Sequence, residues 1–385
     1  MTTTSPRSTR RTPRNQSAAP VLSQRALNRA LLARQLLLQR ASMPVPAAIE
    51  QLVGLQAQAP LAPYVGLWTR LDIFQPAALA DLITNREVVR IVLMRATVHL
   101  VTARDCLAWR PIVQPVLDRT LANVEFTRNA AGLDIDAVVK AGRAALEEEP
   151  STMADLGKRL AATWPDRDPA FLARAVHYRA PLVQIPPRGL WGRSGKPVCT
   201  TAEAWLGQPL ASDTAPDTLV LRYLAAFGPA TVLDIQAWSG LTGLRPIVER
   251  LRPRLQIFRD EAGKELFDLA DAPRPDPETA APLRFLPVYD NLLVSHADRR
   301  RIISEIDRKR IASRNGQVPG AVLIGGFVRG TWAIARHRGG ATLRITPFAS
   351  IAASDRDAVT PEGARLLAFA AADAADQAIE FMDAS

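Results

Sequence analysis

The chain has 385 residues, a formal charge of +10 and an isoelectric point near 10.3, with 48% of its residues apolar and 22% charged. That length suggests two or three domains with real cores, and no run approaches the ~18 apolar residues of a membrane span. The two cysteines, Cys106 and Cys199, form no Cys-x-x-Cys pair, which excludes a disulfide framework or a cysteine zinc site and fits a reducing cytoplasm.

Residues 1–20 carry four arginines and no acid, which leaves +6 for the remainder, and they lack the apolar core of a secretory signal. They read as a disordered basic tail. Only five of the 48 basic residues are lysine, so the Arg-rich balance owes more to a GC-rich genome than to a polyanionic partner.

The first unit, residues 21–115, opens with Ser23 as helix N-cap and Leu27, Leu31 and Leu38 at helical spacing up to Arg40. Pro46 starts a short helix that ends at Gly54-Leu55-Gln56-Ala57-Gln58-Ala59-Pro60. The proline pushes Ala59 toward extended geometry, and in an extended segment Gln56 and Gln58 point to one side, presenting two neutral amides together. Helices over 61–71 and 76–84 precede the β-prone runs 88–94 and 97–102, split by Arg95-Ala96. Helices followed by a hairpin are the order of a winged helix.

The same order recurs over 116–210 and 211–272. In the second unit Thr152-Met153-Ala154-Asp155 opens a helix, 168–180 is the next, and strands at 182–185 and 198–200 flank a long wing. In the third, Thr231-Val232-Leu233-Asp234 opens a helix and 255–258 pairs with 266–269. Residues 273–385 read as a small β domain with strands at 285–295, 321–335 and 341–346, closed by an Ala-rich helix over 361–381. The fold class is therefore α+β, three tandem winged helices followed by a β domain with a C-terminal helix.

No two histidines have metal-ligand spacing, and no G-x-S-x-G, P-loop or dinucleotide fingerprint occurs, so neither metal nor cofactor is expected. Each of His99, His177, His296 and His337 reads first as a structural imidazole. The basic clusters are Arg188, Arg193 and Lys196 in the second wing, Arg299-Arg300-Arg301, and Arg336-His337-Arg338 at a late turn. Positions at turn tips favour phosphate contact, and Trp191 can stack on or wedge between bases or pack on its own wing.

Four stretches together resemble the AlkZ-like winged-helix DNA glycosylases: Gly54 to Pro60, Arg95-Ala96-Thr97-Val98-His99-Leu100-Val101-Thr102, Pro181 to Trp191, and Tyr289-Asp290-Asn291 onward to Arg299. The resemblance runs from about residue 22 to 380. It implies a bacterial monofunctional glycosylase, serving base excision repair or genotoxin self-resistance, that removes N7-alkylated purines, including bulky genotoxin adducts and interstrand crosslinks. Its catalytic signature is Gln-x-Gln, matched by Gln56 and Gln58, whereas the sister YcaQ type has aspartate at the second position. Double-stranded DNA carrying such lesions is the implied partner, with no membrane, for a cytoplasmic, nucleoid-associated monomer. The competing reading is a non-catalytic winged-helix regulator, which usually acts as a dimer on two half-sites.

Overall fold

The computed structural model describes residues 19–122, 124–311 and 316–384, so most of the basic tail lies outside the described residues. The architecture is mixed α+β, with helices packed on three sheets. Among the described residues, no helix is long and apolar enough to cross a membrane.

The β-prone runs split by Arg95-Ala96 form the antiparallel strands Val88–Val92 and Val98–Thr102. The long-wing unit supplies Leu182–Gln184 and Val198–Thr201. Both hairpins belong to one six-stranded sheet, in which Arg90 faces Gln184 and Ile91 faces Val183, while Leu55–Gln56 adds an edge strand. Sequence periodicity finds each hairpin but carries no signal for this joint, because pairing between units is a tertiary choice.

The opening helix is capped by Ser23, whose Oγ accepts from Ala26 N, and runs over Gln24–Arg34. It ends short of the leucine spacing because Leu36 turns left-handed, with φ 57°. Buried Arg34 makes two hydrogen bonds to Asp268, at 2.6 and 2.8 Å, fixing this helix to the hairpin Leu255–Asp260 and Glu265–Leu269. Thr152 and Thr231 cap their helices as the sequence predicts, and Thr231 with Asp234 makes the fully reciprocal box.

The C-terminal region departs from expectation. A helix begins at Ala353, passes through Pro361 and stops at Ala370, and Asp376–Phe381 is a strand parallel to Gly340–Pro347. Gly363 lets helix and strand approach: a Cβ there would lie 3.0 Å from Ile379 Cδ1. Of the predicted strand over 285–295, only Arg284–Leu286 is extended, and Asn291–Leu293 is a 3₁₀ turn.

Two cores sandwich the six-stranded sheet. On one face Val53, Ile91 and Val101 pack with Trp238, Leu292 and Ile302. On the other, Leu55, Val88 and Leu100 pack with Phe285, Val322 and Leu343. The C-terminal sheet thus shares both cores with the segment carrying the glutamines, which brings residues 290–299 beside residues 54–58.

Candidate active site

The helix Val45–Gln51 ends in two consecutive left-handed residues, Val53 at φ 56° and Gly54 at φ 79°. Gly54 is required here, since a Cβ would lie 2.7 Å from Val101 Cγ1. The chain leaves this turn extended, with Leu55 opposite Leu100 and Gln56 opposite His99, and Ala57 N donates to Val98 O at 2.7 Å. Both amides then reach the same hairpin. Gln56, only 9% exposed, accepts at Oε1 from Arg95 Nη2 at 2.8 Å, and exposed Gln58 accepts at Oε1 from Val98 N at 3.2 Å. A guanidinium and a backbone N–H can only donate, so both glutamine oxygens are committed to the protein and both Nε2 groups are left as the donors a ligand meets.

Arg95 is the hub. Its Nη2 also donates to Asn291 Oδ1 at 3.1 Å, its Nη1 donates to Trp238 O, and Asn291 Nδ2 donates to Gly54 O at 3.2 Å. Next to Asn291, Asp290 takes two 2.9 Å hydrogen bonds from Arg70 and accepts from Leu292 N at 3.0 Å. Both side chains of this ion pair are buried, and breaking such a pair leaves an uncompensated charge. Gln35, Gly54, Gln56, Arg70, Asp290 and Asn291 line a cavity of about 10 Å³, the size of one water.

The backbone around this cluster is strained. Arg95 and Ala96, at φ 56° and 55°, occupy the two central positions of a turn closed by Thr97 N donating to Met94 O, positions that Asn-Gly would fill without strain. Val53 and Tyr289, at φ 56° and 61°, flank the other two arms. Non-glycine residues in this region cost roughly 1–3 kcal/mol each, and such strain gathers where geometry is imposed for function.

Burial, then the charge of Arg299, pushes the Arg95 pKa down to about 10. His99 is fully buried, and burial followed by Arg95 lowers its pKa to about 3, so the ring is neutral. His296 is likewise pushed down to about 3, first by burial and then by Arg301, and its Nε2 meets Phe227 O at 3.1 Å. With Asp290 locked by Arg70, neither residue is free to carry a proton for the glutamines.

The basic residues divide into exposed and engaged groups. Arg193 and Lys196 are exposed on the wing 186–197, and Arg338 is exposed at the turn after Phe327–His337. Arg188 is half-buried and donates to Gly195 O at 3.0 Å, bracing the wing. Arg300 pairs with Asp298 at 2.6 Å and Arg336 with Asp373 at 2.8 Å. Arg299 is half-buried beside Arg95. Two expectations need correction. Arg301 is only 6% exposed and donates to Pro229 O at 2.8 Å, a structural bond that withdraws it from any phosphate. Trp191 is half-buried and packs against Tyr64 and Phe369 at centroid distances of 5.0 and 5.1 Å, on helices outside its wing rather than on the wing itself.

Sequence reasoning missed Arg95, Asn291 and the tie of Asp290 to Arg70 as parts of the site, and names Asp290 and His296 only as alternative proton carriers. Arg95 and Asn291 lie within the stretches that carry the family resemblance, which was the one signal available for them.

A family model described as DNA glycosylase AlkZ-like matches residues 49–369. Among solved structures, the Streptomyces sahachiroi DNA glycosylase AlkZ is similar in fold, with a TM-score of 0.76 at 18% identity over 94% of this chain and 100% of that one. The comparison with curated proteins finds no match. Because the family model spans most of the chain, the protein belongs to the AlkZ-like family and is a DNA glycosylase.

Proposed function

We propose that the protein is a monofunctional glycosylase that hydrolyses the N-glycosidic bond of N7-alkylated purines in double-stranded DNA, with Gln56 and Gln58 as catalytic residues. The supporting observation is the tethering of both amides, by their oxygens, to one strained hairpin, with a water-sized cavity beside Gln56. N7 alkylation makes the base cationic, so the bond breaks without a strong general acid. As it breaks, electron density moves onto the leaving purine, and preorganised N–H donors aimed at that density stabilise the transition state. The outward Nε2 groups of Gln56 and Gln58 are such donors. The space beside Gln56 is far smaller than a purine, so the lesion meets these amides at a surface, which suits bulky adducts and crosslinks as well as a methyl group.

The three helix-and-hairpin units over 21–115, 116–210 and 211–272 act in this reading as winged helices, with 273–385 as the β domain. Arg193 and Lys196 on the long wing, Arg338 at the late turn and Arg299 beside the site hold the phosphate backbone, while Arg188, Arg300 and Arg336 brace or flank those contacts. The protein works as a monomer, without cofactor, in the cytoplasm on nucleoid DNA. Incubating it with duplexes carrying N7-methylguanine, a bulky N7 adduct or uracil tests the reading. Abasic sites are expected with the first two and not with uracil. A protein that binds all three duplexes and releases no base is instead a non-catalytic DNA binder.

A further inference from the structure

The imidazole of His99 is a buried group that the proposed chemistry leaves unused, and its surroundings fix its hydrogen-bonding state. Its Nδ1 lies 3.0 Å from Thr97 O. A carbonyl oxygen only accepts, so Nδ1 carries the proton and Nε2 presents a bare lone pair. That Nε2 is buried and has no hydrogen-bond partner. The strand register places His99 directly opposite Gln56, within the row Gln56–His99–Ile91–Val183 across one face of the sheet. Since the neighbouring pair Ala57 and Val98 is the hydrogen-bonded one, Gln56 and His99 form a non-hydrogen-bonded pair, whose side chains stand closest. The two glutamines turn donors outward, and an attacking water needs an acceptor for its proton. Among the described residues on this row, His99 Nε2 is the buried acceptor without a donor.

We propose that His99 is a catalytic residue that binds the hydrolytic water through Nε2, an inference that rests on the glycosylase reading above. As the C1′–N9 bond breaks, its electron pair leaves with the alkylpurine, which departs neutral. The water oxygen bonds to C1′, and its surplus proton moves to Nε2 and on to solvent. Water added to an oxocarbenium ion is a strong acid, so the weakly basic ring suffices and remains neutral between turnovers.

The test compares His99→Leu, which removes the acceptor, with His99→Gln, whose Oε1 falls near the Nε2 position. Single-turnover release of N7-methylguanine is expected to slow about 10²-fold in His99→Leu and to stay within roughly tenfold of wild type in His99→Gln. DNA affinity should be unchanged in both variants. A wild-type rate in His99→Leu, or equal slowing in both variants, overturns the proposal. Gln56→Ala run in parallel separates the cases: if it is slow while His99→Leu is normal, the glutamine site stands and this inference fails. A substrate-free readout covers an inactive wild type or an unfolded variant. In ¹⁵N spectra of the wild-type protein the ring should be protonated at Nδ1, with Nε2 hydrogen-bonded and its shift moved by Gln56→Leu. The opposite tautomer, or an Nε2 insensitive to Gln56, contradicts the assignment.

Discussion

Replacing Arg95 by methionine probes the geometry of the site most sharply. The change removes the donor to Gln56 Oε1 at 2.8 Å, to Asn291 Oδ1 at 3.1 Å and to Trp238 O. Leaving a buried acceptor unmet costs about 1–3 kcal/mol. Against that, keeping this guanidinium charged, with its pKa pushed down to about 10, costs about 3 kcal/mol that methionine does not. With three acceptors left unmet, about 3–9 kcal/mol together, and about 3 kcal/mol recovered, Arg95→Met should lose between about 0 and 6 kcal/mol, so its melting temperature is measured before its rate is read. The Gln56 amide, however, becomes free to rotate its oxygen outward, and single-turnover release of N7-methylguanine should fall about 10²-fold, or about 2.7 kcal/mol in the barrier. Arg95→Gly serves as the partner variant. It loses the same hydrogen bonds but relieves a left-handed residue, so it should be equally slow yet about 1 kcal/mol more stable than Arg95→Met. An undiminished rate in Arg95→Met would show that the orientation of Gln56 does not depend on this hub.

Three further outcomes are expected. Arg193→Ala with Lys196→Ala should weaken binding to any duplex and lower the log–log salt slope by roughly 1.8 if each cation holds one phosphate, so an unchanged slope removes the wing from the DNA. Excision should be nearly flat between pH 5 and 9, because His99 near 3 and Arg95 near 10 lie outside that window; a bell with a pKa near neutrality would point to another proton carrier. Folding stability should fall as pH drops below about 6.5, because His99 and His296 bind protons in the unfolded chain well before their folded pKa values near 3. Each contributes up to about 1.4 kcal/mol per pH unit in that range, and thermal melting of His99→Gln should show a shallower acid slope than wild type.

Local chemistry was legible in the sequence. Ser23 and Thr231 announce their helices, and the Ala59-Pro60 break stops the chain from running helically through Gln56 and Gln58. The turn at Arg95-Ala96 was visible as a gap between two β-prone runs, but not its strain, because Arg-Ala is a poor choice for a turn with two left-handed residues. What could not be read was long-range. Asn291 reaches Gly54 across 237 positions and Asp290 reaches Arg70 across 220, and neither a carboxylate nor an amide in a loop advertises its partner. The same limit misplaced Arg301, which looks like its exposed neighbour Arg300 in sequence and differs only in facing the backbone at Pro229. The terminal strand was hidden by an alanine-rich composition that favours helix until Ile379 finds the face of Gly363.

The central claim is that two neutral amides, Gln56 and Gln58, carry the chemistry of base release. Single-turnover excision from an N7-methylguanine duplex by Gln56→Ala and Gln58→Ala, with DNA affinity measured alongside, tests it directly. Each variant should lose about 10²–10³ in rate while binding DNA as the wild type does, the cost of deleting one positioned donor. Near-wild-type rates in both variants would contradict the account.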